Sequence, residues 1–370
     1  MSLFSSDKKT RIGIDIGTAA LKIVELTKEA NRFRLTNYGL FELEPGSEAL
    51  NVATQSSKGG VTRLSDQDIV WGIKTLLQKT QIKSRDAVAS IPSFPTFATT
   101  ITLPYLSDED VAKSVPFEAR KYIPIPLSEV QLDWAVINVK KNGDQKSPLE
   151  KGTGIDIKGP TVEVFFIAVP KEEIKRYQAI MKEAGLTLAA LELENFALIR
   201  SLLGNDLSPV CIVNIGGRGT SIVIVDNGYQ RVNRDYEIGS FEITNAIARS
   251  LSVSLKRAEE LKKTLGINLS DTNIIKQAII SLLDLMVFEV SKTIHNYEDL
   301  KKVKVAKVIL VGGLANMPHL IEYFGQKLSC DVVLGNSLAR IIVAPGLEVK
   351  KSEISSTFAV SIGLGMREIK

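Results

Sequence analysis

One pattern occurs twice in this chain. Residues Arg11 to Thr27, RIGIDIGTAALKIVELT, read as an apolar strand, a tight turn on Asp15-Ile16-Gly17-Thr18, and a second strand of β-branched residues. About 200 residues further on, Pro209 to Val225, PVCIVNIGGRGTSIVIV, brings back an apolar strand, a glycine-rich turn carrying Asn214, and another β-branched strand, followed by the hairpin turn Asp226-Asn227-Gly228. Two such units, each needing a core for its strands, predict a two-lobed α/β protein whose glycine tips face one another across a cleft.

The intervening sequence supplies the rest of such a fold. Asn31 to Glu44 reads as a third strand and Pro45 to Leu64 as a loop. Ser65, Asp66 and Asp68 then cap a helix with an apolar stripe of Ile69, Val70, Ile73, Leu76 and Leu77. After a short strand, Ala87 to Ile91, the texture changes. From Pro92 to about Pro170 come Pro-rich turns, a helix over Ser107 to Tyr122, and strands at Val130–Val139 and Thr161–Val169, joined by a Gly-, Lys- and Pro-rich stretch that reads as a mobile hairpin loop. This is a small α+β insertion. A helix over Lys171 to Ala184, a strand at Thr187–Leu191 and a helix to Leu203 lead to the second unit, and residues 241–300 are mostly helical. Val303 to Val311 is a buried strand, Asn316-Met317-Pro318 a helix start, and Ile354 to Met366 a closing helix with small residues on one side.

Composition narrows the function. At 370 residues, and roughly 150 per domain, the chain holds two or more domains. Its 46 Lys+Arg against 42 Asp+Glu are scattered without a basic tract, which argues against a nucleic-acid partner. Cys211 and Cys330 sit in apolar runs and read as buried reduced thiols. With only His295 and His319, schemes built on histidine ligands or bases are poorly supplied. No signal-peptide core and no run approaching the roughly 20 apolar residues of a spanning helix is present, so a cytoplasmic location is expected.

A cleft between two glycine tips suits a polyphosphate, because turn N–H groups free of bulky side chains can approach its oxygens. Asp15 would repel phosphate but can hold Mg²⁺ through water, and Lys22 can reach back to a phosphate oxygen. Either tip alone is more often a plain turn; two tips, a VGG turn near residue 312 and a charged helix between them make a stronger combination.

In that order the motifs resemble the actin, Hsp70 and hexokinase superfamily: GIDIGTAALKIVEL as phosphate loop one, VNIGGRGTSIVIV as phosphate loop two, and VILVGGLANMPHL as the adenosine loop. Within it, SIPSFPTFATTITLP, FEARKYIPIPLSEVQLDW, FFIAVPKEEIKRYQAIMKEAGL and RDYEIGSFEITNAIARSL resemble the PilM family of type IV pilus assembly, and more distantly FtsA. The resemblance implies an actin-like, ribonuclease H-like fold with a 1C-type insertion at 86–168. Lobe one is then 1–85, completed by 169–205 and 346–370; lobe two is 206–240 and 301–345, with a helical subdomain over 241–300. It also implies ATP with Mg²⁺, bound by Gly17, Thr18 and Lys22 of the first loop and by Gly216, Gly217, Arg218, Gly219 and Thr220 of the second. Glu259, Lys262 and Lys263, at i, i+3 and i+4 on one helical face, would contact ribose and base. Gly312, Gly313 and Asn316 belong to the adenosine loop, and Gly239 lines the nucleotide, with Ser240 where a second glycine is usual.

One departure bears on chemistry. The second loop normally opens with Asp, whereas this chain has Asn214, so metal binding and water activation should both weaken. Arg218 can compensate by meeting a phosphate bidentately. Asp15 and Glu194, the latter where relatives carry a catalytic carboxylate, are the candidate catalytic residues, and slow or absent hydrolysis is expected. The resemblance implies a scaffold that holds the cytoplasmic N-terminal peptide of PilN in a groove between the first lobe and 1C. Inner-membrane attachment would then come through that partner, and other pilus assembly components and a second copy of the chain are further partners. The alternatives are an active ATPase, an FtsA-like filament former, or a small-molecule kinase.

Overall fold

The computed structural model describes residues 9–29, 32–42, 64–93, 96–140, 160–267, 274–345, 347 and 351–368. The N-terminal MSLFSS, the expected 45–64 loop except Leu64, and the loop between the two insertion strands lie outside them.

The chain opens with β1 (Lys9–Ile16), β2 (Ala20–Glu29), β3 (Arg32–Glu42), helix α1 (Asp66–Thr80) and β4 (Asp86–Ile91). The insertion follows, with β5 (Phe97–Pro104), α2 (Asp108–Ala119), β6 (Val130–Lys140) and β7 (Thr161–Pro170). Then come α3 (Lys171–Glu183), β8 (Thr187–Leu193), α4 (Glu194–Leu202), β9 (Val210–Ile215), β10 (Thr220–Asp226) and β11 (Tyr229–Tyr236). Helices α5 (Ser240–Leu251), α6 (Leu255–Leu265) and α7 (Ile274–Lys301) precede β12 (Lys307–Val311), α8 (Leu320–Lys327), β13 (Asp331–Leu334), β14 (Ile341–Val343), α9 (Lys351–Thr357) and α10 (Ala359–Gly365).

Among the described residues the strands make three sheets ordered β14-β3-β2-β1-β4-β8, β11-β10-β9-β12-β13 and β5-β7-β6. The first two share a plan. In each, an antiparallel meander of three strands is extended by two parallel strands on the side of the first: β4 then β8 beside β1, and β12 then β13 beside β9. The repeat seen in the two hairpins is therefore a repeat of whole sheets.

Two compact units result. One takes in the chain up to Ile91, Ile180–His295 and Lys304 onward; the other is Pro92–Ala179 with Asn296–Val303. Strand β4, inside the span expected to be insertion, is the strand between β1 and β8, so the insertion begins at Pro92. Its own core is Val111, Val115 and Ala119 of α2 against Ile101, Leu103, Val164 and Phe166 of the sheet. Ser107 caps α2 by accepting from the Asp110 N–H.

In the first unit, α4 and α10 supply the core that joins the two five-strand plans: Ala197 and Leu198, with Ala359, Val360 and Leu364, lie among Val88, Ile212, Val223, Ile309 and Val311. Glycine makes this closeness possible. A Cβ on Gly13 of β1 would fall 2.0 Å from Ser361 O, and one on Gly363 of α10 would fall 1.9 Å from Ala197 O.

Two expected helices change shape. The closing helix is two, broken at Phe358, because the Ser355 and Ser356 carbonyls leave the helical ladder: Ser337 donates to the first and the Gly312 N–H to the second. The Asn316-Met317-Pro318 start is a short 3₁₀ turn over Gly313–Asn316; the Pro318 carbonyl accepts from the Ile267 N–H, and α8 begins only after His319, which is left-handed at φ 65°.

Candidate functional site

In the first hairpin Asp15 lies opposite Lys22 and Ile16 opposite Leu21, and the Gly17 N–H closes the tip by donating to Ala20 O at 3.0 Å. In the second, Asn214 lies opposite Ser221 and Ile215 opposite Thr220, with the Gly216 N–H donating to Gly219 O at 2.8 Å. In this register Thr18 corresponds to Gly217 and Ala19 to Arg218. The two tips meet: a Cβ on Gly217 would lie 2.6 Å from Ala19 Cβ and 3.7 Å from Thr18 Oγ1. Among the described residues the N–H groups of Thr18, Ala19, Gly217 and Arg218 take no backbone partner, which leaves donors at the junction.

Asp15 is buried and held at both oxygens. Lys22 Nζ donates to Oδ2 at 2.9 Å, and Ser90 Oγ of β4 donates to Oδ1 at 3.3 Å while accepting from the Ile16 N–H. Burial works against the Lys22 charge, but Asp15 more than reverses this and its pKa is raised. Glu194, the first residue of α4, is half-buried near both; burial foremost, then the Asp15 charge, raise its pKa to about 8 against the opposing pull of Lys22.

Helix α5 starts on the second tip. The Ser240 and Phe241 N–H groups donate to Gly216 O and Gly217 O at 2.9 and 2.8 Å, and the Gly239 N–H donates to Glu242 Oε2. This approach needs Gly239, whose Cβ would sit 2.7 Å from Gly217 O. The Thr220 hydroxyl donates to Ile238 O. Arg218 projects from the crest with its Cζ 4.7 Å from the Phe241 ring centroid, and its Nε and Nη2 are buried and have no hydrogen-bond partner among the described residues. Burial lowers its pKa and Glu242 opposes the change.

The face expected on α6 is divided. Glu259 is half-buried and Lys263 exposed, 3.5 Å apart as an ion pair, whereas Lys262 turns inward at 3% exposure. Its ammonium donates to Ser240 Oγ and Thr244 Oγ1 and pairs with Glu259 at 2.6 Å. Burial lowers the Lys262 pKa against the pull of Glu259; burial would raise the Glu259 pKa, yet Lys262 and its hydrogen bonds bring it down. Lys262 thus ties α6 to α5, and any contact with a ligand falls to Glu259 and Lys263.

Gly312 is tightly enclosed at φ 93°, where a Cβ would meet Ile215 O at 2.2 Å and Asn214 Oδ1 at 2.9 Å, so the third loop packs against the second tip. Gly313 is exposed and a Cβ there would meet nothing within 4 Å. Asn316 is occupied with α9, donating to Thr357 Oγ1 and accepting from Ser356 Oγ.

These features fit a nucleotide: free turn N–H groups, an unpaired guanidinium edge for phosphate, and an open glycine shelf beside the tips. Mg²⁺ is less well provided for. Asp15 is already paired, Asn214 is neutral, and among the described residues no group of three or more His, Cys, Asp or Glu side chains could hold a metal. Sequence reasoning missed Ser90, Thr244 and Phe241. The first comes from a strand some 75 positions away, and the others gain their roles only through the α5–α6 and α5–tip contacts.

Two sheets of one plan, joined through α4 and α10, with their hairpin tips in contact, define an actin-like α/β protein. The family model for the type IV pilus assembly protein PilM matches residues 13–369. The chain belongs to that family. A solved PilM-PilN type IV pilus biogenesis complex is similar over 96% of this chain and 98% of that one, with a TM-score of 0.77 and 24% identity. The ethanolamine utilization protein EutJ from Carboxydothermus hydrogenoformans shares the fold at a TM-score of 0.53 and 16% identity, over 96% of this chain and 89% of its own. The cell division protein FtsA of Bacillus subtilis (strain 168) is 23% identical over 253 residues, 62% of this chain and 55% of FtsA, so the chain spans about half the length of that curated relative.

Proposed function

We propose that this chain is an ATP-binding scaffold of the type IV pilus inner-membrane assembly complex, which holds the cytoplasmic N-terminal peptide of PilN and relays nucleotide or mechanical state to it and to other pilus components. The observation that carries the nucleotide reading is the contact of the two glycine tips, Gly217 against Ala19, with unpartnered donors on both. In this reading the tip N–H groups and Lys22 hold the phosphates, Gly313 offers its open face to the purine, and Glu259 with Lys263 flanks the ribose. ATP arrives with Mg²⁺ as it circulates in the cell. Hydrolysis is slow, because burial and the Asp15 charge favour the protonated form of Glu194, a poor acceptor for a proton from water.

A peptide partner accords with the family and with the similarity to a PilM-PilN complex. Among the described residues no helix is long and apolar enough to cross a membrane, and the proposed cytoplasmic site at the inner membrane relies on that partner. The test has two parts. Mass spectrometry of ligand released from purified protein should find ATP or ADP. Titration of a labelled PilN N-terminal peptide should give affinities that differ by about fivefold or more between the ATP-bound, ADP-bound and nucleotide-free protein. Equal affinities remove the relay and leave the scaffold; no peptide binding in any state removes the scaffold.

A further inference from the structure

The geometry points to Arg218 as the group that neutralises the phosphates of this site in place of a second metal-ordering carboxylate, so that nucleotide binding does not depend on Mg²⁺. This rests on the nucleotide reading above and specifies how the ligand is held.

The two tips correspond residue for residue, and their charges do not. Asp15 and Lys22 face each other across the first hairpin; the equivalent pair across the second is Asn214 and Ser221, both neutral. A protein-bound Mg²⁺ usually takes one or two carboxylates besides phosphate and water, in near-octahedral geometry. Of the two equivalent hairpin positions, one holds an amide and the other a carboxylate engaged by Lys22 and Ser90, and burial and the Asp15 charge disfavour the ionised form of Glu194 nearby. Recruiting Asp15 to a metal would strand the Lys22 ammonium, which is only 16% exposed.

The second hairpin's flank is neutral at this pair, and a charge stands at the crest. Arg218 replaces the small Ala19 of the first tip, and its Nε and Nη2 lie side by side along one edge of the guanidinium, the edge that accepts two oxygens of one phosphate. Both are buried and, among the described residues, unpaired, a costly state for a charged donor that a bound phosphate would relieve. Their orientation is prepared. The Phe241 ring backs the guanidinium, and the Phe241 N–H is itself bonded to Gly217 O of the same tip. A role confined to covering Phe241 would use the flat face of the group and does not account for a buried edge left without a partner.

The experiment is calorimetric titration of the full chain with ATP, once in excess Mg²⁺ and once in excess EDTA, for the wild type and for R218A, R218Q and N214D/R218A. For the wild type the two dissociation constants should agree within about threefold. R218A and R218Q should bind about ten- to a hundredfold more weakly in EDTA, the loss expected for a charged hydrogen-bond pair. N214D/R218A should regain binding only when Mg²⁺ is present. Wild-type binding that disappears in EDTA, or R218A and R218Q binding that matches the wild type there, overturns the inference while leaving the nucleotide reading in place. No ATP binding by the wild type in either buffer overturns the nucleotide reading, and this inference with it.

Discussion

Glu194 keeps a proton that an ordinary carboxyl would have lost, and this has a measurable sign. Its pKa rises from an ordinary 4.5 to about 8 on folding, because burial and Asp15 both disfavour its charge. Between those values the folded chain holds a proton that the unfolded chain has released, so this group's contribution to stability falls as pH rises from about 4.5 to about 8. Glu194→Gln, which keeps the shape and cannot ionise, should therefore melt close to the wild type near the acid end of that window and progressively above it towards the alkaline end, in thermal scans across the range. The neighbouring glycines of the third loop give a contrast of another kind. Gly312→Ala forces a left-handed alanine into Ile215 O and should lower stability by about 1–3 kcal/mol or more in urea unfolding. Gly313→Ala meets open space and should leave urea unfolding nearly unchanged while weakening ATP binding, since the added methyl occupies the shelf proposed for the purine.

Helix α10 is buried along its whole length. Its Gly363 admits Ala197 O of α4, and its Ser361 carbonyl sits where a Cβ of Gly13 on β1 would be, so Gly13→Ala and Gly363→Ala should each cost about 1–3 kcal/mol or more by denaturant titration, with no direct effect on the ligand's contacts. The small residues of this stretch were visible in the sequence as a stripe; what they pressed against was not, because β1 and α4 lie hundreds of positions or a whole sheet away in the chain. The same divide runs through the site. The hairpins were legible because glycine next to β-branched runs is local information, and so was the Ser65 cap, which accepts from the Asp68 N–H as its spacing predicts. Helical periodicity puts Lys262 on one face with Glu259 and Lys263 but cannot say that α5 covers part of that face with Ser240 and Thr244. The break at Phe358 is not legible in the sequence for a related reason: the donors that take the Ser355 and Ser356 carbonyls come from Ser337 and Gly312. The change of composition at Pro92 coincides with the start of the insertion, whereas the 86–168 span implied by the family resemblance takes in β4.

For the whole molecule, ligand binding and folding are linked. ATP at about a hundred times its dissociation constant should add about 2.7 kcal/mol to the stability of the unit that contains both tips, read as a raised melting temperature in calorimetry. Hydrogen exchange should slow at residues 15–22 and 214–221 in the same samples, and unchanged exchange at both tips would contradict the proposed site. The twin plan of the sheets also gives position 217 an unusual standing. Gly217 touches Ala19 with no space for another carbon, so the spacing of the two sheets at their tips is gauged by a single missing methyl. Gly, Ala and Val at that position would act as shims of increasing thickness, giving an experimenter a dial on the aperture through which a ligand must be gripped.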